Sequence, residues 1–275
     1  AEAYNVAIGF TAGEQITTAI KNTIIGGLAG DAITEGGFNV ALGYDALGAN
    51  TVGNSNIAIG SAALATNVAA DRNVAIGTDA LAVMTSATTL DTYNTAIGYN
   101  AGAAVTSGTA NTLIGGLAGD ALTSGSFNVA LGKSALSTED GHGRNIAIGY
   151  AALETQDAGA DAYNVAVGFN AGNAITTGLQ NVFIGGLTGD ALTTGKHNVA
   201  VGFQSLSSAN AGDFSVAIGH SALREQSGAS AGSNFYNVAV GYNAGLAMTT
   251  GVNNTLVGGL AGDAIVGGNN NIAMG

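Results

Sequence analysis

Four aspartates recur in one setting. The segment Gly26-Gly-Leu-Ala-Gly-Asp-Ala-Ile33 returns, with small changes, at Gly115, Gly185 and Gly258, and it places Asp31, Asp120, Asp190 and Asp263 at equivalent positions. It partly matches the calcium-binding nonapeptide Gly-Gly-x-Gly-x-Asp-x-(aliphatic)-x. The fourth position here is Ala or Thr instead of Gly, and the four segments stand far apart in sequence. Calcium takes about six to eight oxygens, which one Asp per segment cannot supply alone. Capping of turn amides is therefore the expected role. Three copies meeting on an axis would be the remaining route to a Ca2+ site, and no cofactor is expected.

Other chemistry is thin. His142, His197 and His220 show no ligand spacing. There is no Cys, hence no thiolate ligand, thiol nucleophile or disulfide framework. No Ser-His-Asp arrangement, nucleophile elbow or phosphate loop stands out, so no enzyme is expected. Six basic residues against eighteen acidic ones, net charge −12, argue against a nucleic-acid surface. No apolar run reaches the ~18 residues of a membrane helix. Hydrophobic residues make up 47% of the chain, too many for a disordered one. The chain starts without Met and is read as a piece of something longer.

Two features could bind. Fourteen of the sixteen Tyr and Phe flank a recurring pentapeptide, seven before it (Tyr4, Phe38, Tyr93, Phe127, Tyr163, Phe214, Tyr236) and seven after it (Phe10, Tyr44, Tyr99, Tyr150, Phe169, Phe203, Tyr242). They are either sugar-stacking platforms or packing between turns, and the residues favour packing. Three polar insertions fall at 83–92, 154–162 and 225–235. Loops on a rigid scaffold often carry binding, so Met84, Thr88, Asp91, Gln156, Asp157, Asp161, Gln226, Ser230 and Asn234 are the candidate contact residues.

The pentapeptide that positions them is Asn-x-Ala-(Ile/Val/Leu)-Gly. It starts at 5, 22, 39, 56, 73, 94, 111, 128, 145, 164, 181, 198, 215, 237, 254 and 271, with Asn at every start except Ser215. Twelve of the fifteen steps are the same seventeen positions that separate Asn5 from Asn22. A fixed period this short fits neither helical repeats nor leucine-rich ones and suits one coil of a β-solenoid. The expected fold is all-β, a parallel solenoid of about sixteen coils forming a single repeat domain over 1–275. Each coil is expected to hold two short strands. The Asn side chains are expected to form a ladder.

Four coil types alternate. Where the ninth coil position is Gly, the twelfth is aliphatic (Gly13 and Ile16, Gly30 and Ile33); elsewhere the ninth is Leu, as at Leu47, Leu64, Leu136 and Leu153. This keeps the core volume even. In the leading strand, Val6 and Ile8 share one face and Ala7 the other. The alanine face is expected to lie outward and to need cover from sister chains. The bulky residues on it, Ile24, Leu113, Phe183 and Leu256, would then plug an oligomer axis.

Repeated Asn-Val-Ala-Ile-Gly, as at Asn5–Gly9 and Asn73–Gly77, resembles the head repeat of trimeric autotransporter adhesins. The longer Tyr93–Gly102 pattern is similar to repeats in bacteriophage tail and head fibre proteins. The resemblance spans essentially the whole chain. It implies a left-handed β-roll, three identical chains side by side, a place outside the cell or on a virion, and attachment to a host-cell glycan or protein. The coils depart from the adhesin heads in being longer, with turns such as Thr176–Gly178. On this reading the chain is a phage fibre segment; the alternatives are the head of a bacterial adhesin and a self-assembling extracellular filament.

Overall fold

A computed structural model describes residues 3–85, 89–227 and 232–275. They are all-β, with no helix among them, and follow a parallel solenoid path. The chain forms two compact units, Ala1–Ser134 and Ala135–Gly275.

The first unit holds β1 (Val6–Ile8), β2 (Thr23–Ile25), β3 (Val40–Leu42), β4 (Ile57–Ile59), β5 (Ala70–Asp71), β6 (Val74–Ile76), β7 (Leu90–Asp91), β8 (Thr95–Ile97), β9 (Thr112–Ile114) and β10 (Val129–Leu131). All but β5 and β7 form one parallel ladder, and those two pair with each other. The second unit holds β11 (Ile146–Ile148), β12 (Val165–Val167), β13 (Val182–Ile184), β14 (Val199–Val201), β15 (Val216–Ile218), β16 (Val238–Val240), β17 (Thr255–Val257) and β18 (Ile272–Met274), again as a parallel ladder. Each long-ladder strand covers the second to fourth pentapeptide positions. Register joins like to like: Val165 to Val182, Ala166 to Phe183, Val167 to Ile184. A one-residue slip would turn every side chain to the opposite face.

The fifth-position Gly ends each strand. Gly98 has φ +136°, and a Cβ there would sit 2.6 Å from the Gly115 carbonyl carbon in the next coil. No other residue tolerates both the dihedral and the approach.

The expected second strand is replaced by consecutive turns. The seventh and ninth coil positions take left-handed backbone, as at Asp45 (φ +57°) with Leu47 (φ +54°), and Asn170 (φ +52°) with Gly172 (φ +59°). Asn and Asp adopt that conformation readily, whereas a Leu there costs roughly 1–2 kcal/mol. Leu47 is fully buried, and burying a Leu returns about 1.5–3 kcal/mol. The core therefore pulls Leu into a turn that local preference alone would refuse.

The strand faces the opposite way from expectation. Ala41, Ala58, Ala166 and the other internal third-position alanines are fully buried inside their own coils. The second and fourth positions point outward, half-buried or exposed throughout both ladders. Ile24, Leu113, Phe183 and Leu256 are likewise wholly enclosed by their own chain. They cannot plug an oligomer axis. The reason is room: a coil this short is thin, and its interior admits only a few large groups per layer. Each of these four fills the space above two glycines. A Cβ on Gly172 would lie 2.9 Å from Phe183 Cδ2, and one on Gly189 would lie 2.6 Å from Phe183 Cε1. Leu113 stands in the same way to Gly102 and Gly119, and Leu256 to Gly245 and Gly262.

The asparagine ladder is present, and buried. In a typical rung Asn181 Nδ2 donates to Gly195 O at 2.8 Å and to Asn164 Oδ1 at 3.2 Å, while Asn181 Oδ1 accepts the Asn198 amide at 3.0 Å. Each carboxamide thus satisfies backbone groups that the turns leave unpaired.

Candidate binding surfaces

The outward rows form an apolar band in each unit. Leu42 and Leu131 are each 42% exposed, as is Ile184 in the second unit. Aromatic rows border the strands on both sides, and all fourteen flanking rings are exposed. The rings stack on one another along the coils. His197, Phe214 and Tyr236 run at centroid spacings of 4.8 and 5.2 Å, nearly parallel. Phe203, His220 and Tyr242 follow at 5.5 Å each, tilted. Tyr150 stacks on Phe169 at 5.4 Å. At three positions that lack an aromatic, a cation fills in: Lys21 lies over Phe38, Arg72 over Tyr93 and Arg144 over Tyr163. Packing between coils thus engages nine of the fourteen flanking rings.

The insertion residues divide. Met84, Gln156 and Gln226 are buried and belong to the core instead of a contact loop. They occupy the twelfth coil position, and each insertion begins after it. Gln156 Oε1 accepts from Asn164 Nδ2 at 2.6 Å. Gln226 bridges Ser215 Oγ and Asn237 Nδ2, both at 2.9 Å. It thereby repairs the ladder at the one coil that starts with Ser. Asp91 pairs with Arg72 and accepts from the Tyr93 hydroxyl at 3.0 Å. Asp161 pairs with Arg144 and accepts the Gly143 amide at 3.0 Å. Such part-exposed pairs contribute about 0–1 kcal/mol. Asp157 and Asn234 are both exposed. Asn234 lines a shallow cavity of about 210 Å³ with Ser227, Ser233, Phe235, Thr250 and Val252. Thr88 and Ser230 lie outside the described residues.

None of Asp31, Asp120, Asp190 and Asp263 belongs to a metal-capable group of three or more side chains among the described residues. Burial pushes the Asp120 and Asp190 carboxyls above the usual range, and each is partly pulled back by its own amide. Burial also raises Asp45, with the charge of Asp31 adding to the rise.

One cluster escaped the sequence reading. Glu139, Asp140 and His142 each offer a ligand atom, all within 4.8 Å of one another. Glu139 is fully buried, at the same twelfth position as Gln156 and Gln226. Burial pushes its carboxyl up; the amide and ring of His142 and the amide of Ala158 oppose this, and the charge of Asp157 adds to it. An acid at a position where Asn50, Asn67, Gln156 and Gln226 are amides was the available signal.

Comparison with family models, curated proteins and solved structures finds no match for the chain.

Proposed function

We propose that the chain is a non-enzymatic structural segment of a fibre on a virion or outside a cell, working as a homotrimer and touching a host-cell glycan or protein. One observation carries this reading. On a single chain the valine, isoleucine and leucine rows of the strands, bordered by exposed aromatics, are left open to water. Monomers rarely expose contiguous apolar area beyond a few hundred Å². Sister chains packed strand face to strand face would cover the rows. The interface is thus assigned to the outward second and fourth positions, with the aromatic borders at its rim. Host contact is assigned to the insertion residues Asp157 and Asn234. Resemblance to trimeric adhesin and phage fibre repeats supports the same reading.

Sedimentation equilibrium tests it. The wild-type chain is expected at three times the mass of one polypeptide. The double substitution Ile184→Lys and Ile218→Lys is expected to sediment as a single folded chain. A stable wild-type monomer at micromolar concentration overturns the proposal.

A further inference from the structure

Glu139 sits in the coil that starts at Asn128, at a position where other coils bury an amide: Asn50, Asn67, Gln156 and Gln226. Those amides both donate and accept hydrogen bonds, as with Asn67 Nδ2 to Asn50 Oδ1 and Asn67 Oδ1 from the Ala70 amide. A carboxylate cannot donate. One of its oxygens, Oε1, accepts the His142 amide at 3.2 Å. The other, Oε2, is buried and accepts no hydrogen bond of normal geometry, the Ala158 amide being the nearby donor. An unpaired buried carboxylate oxygen is among the more expensive groups a fold can hold. No Lys or Arg among the described residues is paired with it. What lies beside it is a second carboxylate, Asp140, and the imidazole of His142, whose Nδ1 is 3.5 Å from Glu139 Oε1.

We propose that Glu139, Asp140 and His142 form a binding site for a divalent transition-metal ion, Zn2+ being the best fit. With metal–ligand bonds of about 2.0–2.2 Å, two donors on a tetrahedral ion stand roughly 3.4 Å apart. The Glu139–His142 separation is already close to that value, and Asp140 needs only a modest closing movement from within 4.8 Å. One imidazole and two carboxylates are a donor set that such ions accept, with water in the fourth position. The ion would pair the buried Glu139 carboxylate and offset the negative charge gathered by Glu139, Asp140 and Asp157. It would also pin the turn through Gly141 and Gly143. The inference stands on this cluster alone and does not depend on the fibre reading.

Calorimetric titration of the full, untagged chain with Zn2+ tests it, with Co2+ absorption as a readout of coordination. Saturable binding of one ion per chain is expected. E139Q and H142A should each weaken it at least tenfold, and H197A, which removes a histidine outside the cluster, should leave it unchanged. Gln already occupies the equivalent position at Gln156 and Gln226, so E139Q is expected to fold, which circular dichroism is to check. Co2+ bound to the wild type should give the intense visible bands of a tetrahedral site, absent from H142A. No saturable binding, a smaller change from either substitution, or equal loss in H197A overturns the site.

Discussion

Phe183 and the two glycines beneath it offer a direct test of how this core is filled. Phe183→Ala alone removes the ring that covers Gly172 and Gly189. A buried Phe-to-Ala change costs about 3–5 kcal/mol, because transfer and cavity terms add. Gly189→Leu alone drives a side chain into that ring, whose Cε1 would lie 2.6 Å from the new Cβ. Overpacking of this kind costs roughly 1–3 kcal/mol. The dihedral is no obstacle: Leu206 holds φ +51° at the same coil position, against +58° at Gly189. Combining F183A with G172L and G189L rebuilds the pairing used elsewhere, alanine on the strand and leucine in the turn. The triple variant should therefore recover most of the loss. A coupling of about 2 kcal/mol is expected, within the range for residues in contact through a common cavity. Urea denaturation gives the global value. Hydrogen exchange of the Val182 and Ile184 amides gives the local one, which matters because solenoids unfold by neighbouring coils. Coupling below ~0.5 kcal/mol, the value for independent sites, would refute the idea that these positions share one space.

Asn181→Ala should destabilise by about 2–4 kcal/mol in the same assay, since it leaves the Gly195 carbonyl and the Asn198 amide without partners. Ala110→Gly should stabilise by a few tenths to about 1 kcal/mol in thermal melts, because Ala110 holds a left-handed φ of +56° that glycine adopts freely. The Asp120 and Asp190 carboxyls titrate higher in the folded chain than in the unfolded one. The folded state therefore binds protons first, and these groups add stability as pH falls through the raised value and lose it as pH rises above. D120N/D190N should be more stable than wild type at pH 7 and should lack that acid-side gain in melts run between about pH 7 and pH 4.

The period, the parallel ladder and the asparagine stack were legible because each repeats at a fixed spacing. Which strand face lies inside was not. Val6 and Ile8 are the larger residues, and burying the larger pair is the usual choice. The deciding quantity is the width of the coil interior, which depends on where the turn residues lie and not on the strand. The left-handed turn at Leu47 was likewise hidden, since leucine signals neither a turn nor a positive φ. Met84, Gln156 and Gln226 looked like loop residues because they adjoin insertions. Counting coil positions instead of distance from the insertion would have set them in the core. Glu139 was visible on the same count, as the one acid at a position that like coils fill with Asn, Gln, Met or Ala. The proximity of His142 and Asp140 was not, since it depends on how the turn folds back.

The shared space under Phe183 bears on how such a chain can lengthen. A coil with Ala on the strand and Leu in the turn fills itself, whereas a coil with Gly in the turn borrows volume from its neighbour. Self-sufficient coils can be gained or lost singly; borrowing coils must travel in pairs.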